Sequence, residues 1–204
     1  MKALPTQERA LLKRSLLLDA AVEQFSTIGF EAATAKSIAA SAQVATGTFY
    51  QYFENKNDIL RVLASNRFED LHAHINLQTS LLDISGASVS TKNVEQQFYE
   101  ALLFVYRFHS NDPALHQVLE QRRAIDPKLK KIMSDGEAVL QSRIVSFVNS
   151  FNLDHAEQVS ENLFAMSEGL VHHLAFNSDD LTLEQIETSL NVGAKMLSSF
   201  FNAH

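Results

Sequence analysis

Along most of the chain, apolar residues recur at spacings of three and four, the period of helices buried on one side. The first stripe is Leu18, Ala21, Val22 and Phe25. It predicts a helix from about Arg9 to Ile28, stopped by Gly29 as a C-cap glycine, with Phe30 folding back onto the stripe. Two short helices joined by a tight turn are expected over Thr34 to Phe53. Thr34 stands where an N-cap belongs, ahead of Ala35 to Ser41. Ile38, Ala39 and Ala42 give the first of these helices a small apolar face, Val44 is the apolar residue of the turn, and Phe49 and Phe53 anchor the second. A helical wheel puts Gly47, Thr48, Gln51 and Tyr52 on the side away from those rings. A short helix buried on one side and small, polar and uncharged on the other can enter a major groove.

The remaining stripes predict a nearly all-α chain. A fourth helix, capped by Asn55 or Asn57, is expected to about Leu77, with Ile59, Leu60, Leu63 and Phe68 buried. Residues 78–92, containing SGASVST, read as a loop. A fifth helix from Asn93 to about His109 carries Val94, Phe98, Leu102, Val105 and Tyr106. Asn111-Asp112-Pro113 and Asp126-Pro127 are two starts with proline in the first turn, opening a sixth helix (Ala114 to Arg123) and a seventh reaching about Phe151. The seventh buries Leu129, Ile132, Met133, Val139, Leu140, Ile144, Phe147 and Val148. Asp154 and Thr182 begin two final helices, with stripes Val159, Leu163, Met166, Leu170, Leu174 and Leu183, Ile186, Leu190, Gly193, Leu197, Phe200. Two such seams either bury inside one chain or pair with the same two in a second copy as a four-helix bundle.

Composition narrows the classes. The chain has 204 residues, no cysteine, and no apolar run near the roughly 20 residues that span a bilayer. Disulfides, thiolate metal sites and cysteine nucleophiles are thereby excluded. The start, MKALPTQERALLKRS, lacks a signal-peptide core, so a cytoplasmic protein is expected. The net charge of −7 is unusual for a nucleic-acid binder. It is unevenly distributed: residues 1–56 hold six basic and five acidic residues, and the rest holds eleven basic and nineteen acidic. The first part could therefore face DNA, although its electrostatic footprint is weak. Lys2, Arg9, Lys13 and Arg14 lie in a polar arm that either reaches phosphates or is simply a frayed, solvated helix start.

Leu17 to Leu63 carries LDAA…F…GF, then SIA, then V-x-x-GT-[LF]-Y-x-YF-x-x-K. This run, about a quarter of the chain, closely resembles the DNA-binding domain of the TetR family of transcriptional regulators. The resemblance implies a helix-turn-helix head over 1–56 and a ligand-binding and dimerisation bundle over 57–204. It carries DNA contact onto Thr34, Lys36, Thr46, Gly47, Thr48, Tyr50, Gln51, Tyr52 and Lys56. Thr34 can equally be a cap alone, and Tyr50 can pack beside Phe49. The sequence departs from the family where glycine is usual at Gln43, serine is frequent at Ala45 and lysine is common at Thr46. Gln43 implies either a strained left-handed residue or a different turn. The family also implies a pocket within helices five to eight. Here its candidates are Phe98, Leu102, Tyr106, His116, Met133, Phe164, Glu168 and His172, favouring an apolar effector.

No metal or cofactor is expected. His72 and His74 are two apart and His172 and His173 adjacent, so neither pair shares a helical face, and HExxH is absent. No Gly-rich phosphate loop or G-x-S-x-G elbow appears, so an enzyme is not expected. Glu168 and His172, four apart, could form a polar couple in a cavity. The expected protein is a homodimeric, ligand-responsive repressor of a double-stranded operator. The rival reading is a helical protein-interaction module or a small-molecule binder without DNA binding.

Overall fold

The computed structural model describes residues 8–79, 91–176 and 180–201, with side chains described over 8–73, 94–176 and 180–201. The arm before residue 8 and most of the loop expected at 78–92 lie outside them. The described residues form nine helices and no strand: α1 (Glu8–Thr27), α2 (Ala35–Ser41), α3 (Thr46–Tyr52), α4 (Lys56–Thr79), α5 (Thr91–Ser110), α6 (Pro113–Arg123), α7 (Pro127–Asn149), α8 (Ala156–Phe176) and α9 (Leu183–Phe201). No described helix is long and apolar enough to cross a membrane. The chain divides into two compact units, Met1–Ala73 with Ala114–Gly136, and His74–Pro113 with Glu137–His204.

In the first unit, α1, α2 and α3 pack around Leu17, Phe25, Ile38, Phe49 and Phe53, each at most 2 % exposed. Gly29 ends α1 at φ +82, and Phe30 returns to place its ring 5.0 Å from that of Phe25. Asn55 opens α4, its Oδ1 accepting from the N–H groups of Asn57 and Asp58. The core continues into Ile59, Leu60 and Leu63 of α4, Leu115, Val118 and Leu119 of α6, and Leu129 and Met133 of α7. The head expected over 1–56 thus lies inside a larger unit. Gly136 of α7 is where Phe68 closes in: a Cβ there would fall within 2.3 Å of the ring. Asp126 caps α7 by accepting from the N–H groups of Lys128 and Leu129, and its carboxylate is gripped by Arg61.

In the second unit α5 packs on α8 and α9. Leu102, Leu163, Val171, Leu174, Leu190 and Leu197 are buried there. The rings of Phe98, Phe147, Phe151 and Phe201 form a cluster with centroids 4.8–5.7 Å apart. Gly193 lets α9 pass Leu170 of α8, since a Cβ there would meet Leu170 Cδ2 at 2.4 Å. The stripes expected to make one seam prove to be divided. On α9 the buried apolar positions are Ile186, Leu190, Ala194, Leu197 and Phe201, whereas Leu183 and Phe200 are exposed. On α8, Met166 is 54 % exposed. A helix period of 3.6 makes residue 201, not 200, the one that follows 190, 194 and 197 on one face. The opposite side of α9 carries a second apolar line, Val192, Met196 and Phe200, open to solvent.

Candidate nucleic-acid interface

The helix-turn-helix is built from α2, the turn and α3. Thr34 caps α2 with a reciprocal capping box: its Oγ1 accepts from the Ser37 N–H, and Ser37 Oγ accepts from the Thr34 N–H, both at 3.0 Å. The C-terminus of α2 closes as a Schellman motif, with Val44 N–H donating to Ala39 O and Gln43 N–H to Ala40 O. The residue that must turn left-handed in this motif is Gln43, at φ +55. The turn is therefore the one glycine usually serves, carried here by a residue that is strained in it by about 1–2 kcal/mol. Gln43→Gly is expected to raise the melting temperature by up to about 2–4 °C, the shift for about 1 kcal/mol in a chain of this size; thermal unfolding followed by circular dichroism checks it. Ala45, the N-cap of α3, offers no side-chain cap, so packing positions this helix.

Phe49 and Phe53 are buried beneath α3. Its outer side carries Thr46, Gly47, Tyr50 and Gln51, all exposed, with Thr48 half-buried. Gly47 has no neighbour within 4 Å of where a Cβ would stand, so its backbone is open to a close approach. The wheel put Thr48 and Tyr52 on the open side, and both prove half-buried. Tyr52 is half-buried and packs on the core, whereas Tyr50 is 52 % exposed, its ring edge-on to Phe49 at 5.4 Å. Both flank the buried direction by similar angles, and the core extends under only one flank. Lys36 on α2 is exposed. Thr34 accepts one bond as a cap but keeps its own O–H to donate, so both roles expected of it are compatible. Lys56 is engaged internally: its Nζ donates to Phe30 O at 2.8 Å and Glu31 O at 2.9 Å and lies 4.6 Å over the Phe30 ring.

The effector candidates divide between the units. Met133 belongs to the first unit's core, and His116 is buried on α6 of that unit. Phe98, Leu102, Tyr106, Phe164, Glu168 and His172 belong to the second. Leu102 is core, Phe98 joins the phenylalanine cluster, Tyr106 packs beside the core and Phe164 is half-buried. Glu168 Oε2 lies 3.2 Å from His172 Nε2. His109, buried on α5, joins them with its Nε2 3.1 Å from that of His172. Sequence reasoning missed it, although it continues the line Phe98, Leu102, Val105 as a polar residue in a core position.

Comparison with known proteins agrees with this geometry. Residues 17–63 match the bacterial regulatory proteins of the tetR family. The chain is 23 % identical over 192 residues to the uncharacterized HTH-type transcriptional regulator YdgC of Bacillus subtilis (strain 168), covering 94 % of this chain and 92 % of that one. It is 27 % identical over 182 residues to the HTH-type transcriptional regulator HbdR of Aromatoleum sp. (strain CIB), covering 76 % and 80 %. In fold it is similar to the fatty acid degradation regulator FadR of Bacillus halodurans, with a TM-score of 0.70 at 18 % identity over 97 % of each chain. The helix-turn-helix near the N-terminus of this all-α chain thus matches the DNA-binding region of the tetR family, and the chain as a whole is similar to HTH-type transcriptional regulators.

Proposed function

We propose that the protein is a homodimeric repressor that acts in the cytosol, holds a double-stranded operator through α3, and is released by a small apolar molecule bound in its second unit. The observation that carries the DNA-binding half is the outer side of α3. It is open, uncharged and free of aliphatic residues, and it is fixed from below by two buried phenylalanines. Gln51 is placed to pair with adenine, Tyr50 and Thr34 to bond phosphates, and Gly47 and Thr46 to let the backbone approach. Lys36 supplies charge. Thr48 and Tyr52 are support at the edge of the contact, and Lys56 holds the α1–α2 connection that orients it. The helices that meet DNA lie within residues 1–56, and ligand binding and dimerisation fall to residues within 57–204.

The effector reading rests on Phe98, Leu102, Tyr106, Phe164, Glu168 and His172 sharing one unit, with aromatic and aliphatic surface around one polar couple. His116 and Met133, the other two candidates, belong to the first unit. An apolar molecule that binds one arrangement of unit 2 better than another shifts the population of both. Dimerisation uses the exposed line Val192, Met196 and Phe200 with Met166, around a groove of about 390 Å³. No step of this reading requires catalysis or a cofactor.

Gel retardation with the DNA upstream of the protein's own gene tests the proposal. A retarded band is expected at low salt, and Gln51→Ala should weaken it by roughly 5–150-fold, the equivalent of about 1–3 kcal/mol for one bidentate base contact. An unretarded probe, or a Gln51→Ala protein that binds like the parent, would sink the assignment of α3.

A further inference from the structure

We propose that His109, Glu168 and His172 form a binding site for one divalent first-row transition-metal ion of the zinc class. Three potential ligand atoms converge in the second unit. His172 Nε2 lies 3.1 Å from His109 Nε2 and 3.2 Å from Glu168 Oε2, and His109 Nε2 lies 4.0 Å from the same carboxylate oxygen. Zinc bonds imidazole nitrogen and carboxylate oxygen at about 2.0–2.2 Å, which places neighbouring ligands in a tetrahedral shell roughly 3.3 Å apart. Two edges of the observed triangle are close to that size, and the third, at 4.0 Å, would close by a rotation of the Glu168 carboxylate.

The tautomer favours the same reading. His109 Nδ1 is 2.8 Å from the carbonyl oxygen of Val105, which can only accept, so this nitrogen carries a proton and, in the neutral ring, Nε2 is the one with a lone pair. A ligating histidine typically has its second nitrogen bonded in this way, which fixes ring orientation and strengthens the ligand. Two imidazole nitrogens and a carboxylate oxygen are thus gathered within 4.0 Å of one another, and a cation bound by them would take the place of the proton they otherwise share. Phe176 stands edge-on to both imidazoles, 6.0 Å from His109 and 5.4 Å from His172, and confines them.

The donor set selects the class of ion. Two nitrogens and one carboxylate oxygen suit zinc and its neighbours better than the oxygen-seeking calcium or magnesium. The site is half open: the side chains of Glu168 and His172 keep 29 % and 40 % of their surface in solvent, whereas that of His109 keeps 6 %. An ion there would tie α5, which carries His109, to α8, which carries the other two. Spacing along the sequence pointed away from a metal because His172 and His173 are adjacent. The partner that completes the site comes from another helix.

This goes beyond the apolar effector proposed above. It shares Glu168 and His172 with that reading, and its test involves neither DNA nor an organic effector, so the two fail separately. Purified full-length protein, stripped by chelator, is titrated with zinc in competition with a chromophoric chelator, and with cobalt while the visible d–d bands are recorded. One zinc per chain and the intense bands of a four- or five-coordinate cobalt centre are expected. His109→Ala, Glu168→Gln and His172→Gln should each weaken zinc by more than the roughly 10–100-fold that losing an outer-shell partner costs. Circular dichroism establishes which variants are folded, and Glu168→Gln and His172→Gln, at partly exposed positions, decide the matter if His109→Ala is not. Binding well below one ion per chain, six-coordinate cobalt bands, or affinity unchanged in folded Glu168→Gln and His172→Gln overturns the proposal. Any of these leaves the three side chains as a hydrogen-bonded cluster sharing a proton.

Discussion

Asp126→Ala is expected to lower the unfolding free energy by about 3 kcal/mol, the lower end of the range for breaking a buried ion pair. Asp126 keeps only 6 % of its side chain in water, and Arg61, at 20 %, would be left with its charge half-buried and opposed by nothing at that point. The guanidinium is held at two places: Nε donates to Oδ2 at 2.9 Å and Oδ1 at 3.2 Å, and Nη2 lies 2.8 Å from Oδ2. The same carboxylate caps α7 through the N–H groups of Lys128 and Leu129. Burial by itself would raise the Asp126 pKa. The hydrogen bonds from Arg61 and from Leu129 N–H, with the charge of Arg61, outweigh it and hold the group below the ordinary carboxylate range. The sign follows: a depressed folded-state pKa gives stability that is fully present above the unfolded value of about 3.9 and is lost as pH falls through the folded value. Urea denaturation at neutral pH should therefore separate parent and variant widely, and the gap should narrow in increasingly acid buffer. A neutral-pH loss under about 1 kcal/mol, or a gap that widens in acid, would show that the pair contributes little. Asp126→Asn should lose less than alanine, because an amide oxygen still caps.

Val192→Glu combined with Met196→Glu is expected to turn the protein into a monomer and to weaken operator binding by on the order of 10²–10⁴, the gain that linking two half-site contacts confers. These two side chains are 53 % and 62 % exposed, so the folded protomer should tolerate them. The neighbouring Phe200, at 41 %, and Met166, at 54 %, extend the patch across α8 and α9. Paired carboxylates across a two-fold face repel, and the apolar burial that drives association is lost. Light scattering coupled to size exclusion reads the mass, and circular dichroism reads helix content. A parent that is already monomeric, or a double variant that remains dimeric, would refute this assignment of the face.

What could be read from the chain depended on the range of the interaction that decides each feature. Thr34 as cap, α2 over Ala35–Ser41, the burial of Phe49 and Phe53 and the stop at Gly29 are local matters of period and backbone, and the residues display them. Gln43 was marked as anomalous because the resembled family usually has glycine there, and its φ of +55 decides between the two readings left open. The apolar stripes of α8 and α9 identified the right helices but merged two faces, because a run of spacings of three and four does not say whether residue 200 or 201 completes it. Tyr52 was placed outward and proves half-buried for the same reason: a wheel gives angles, and only the neighbouring helices decide which flank is covered. Glu168 and His172 four apart could be read as a couple. His109 could not, since its place beside them depends on how α5 lies against α8.

The first unit's core draws on residues far apart in the chain, with Leu115, Val118, Leu119, Leu129 and Met133 packed among side chains from residues 17 to 64. A head cut after residue 56 would leave part of its own interior behind. Exchanging heads between relatives as cassettes should therefore yield insoluble chimaeras unless α6 and the beginning of α7 travel with the graft. Operator preference in such a protein would change by point substitution on α3 more readily than by recombination.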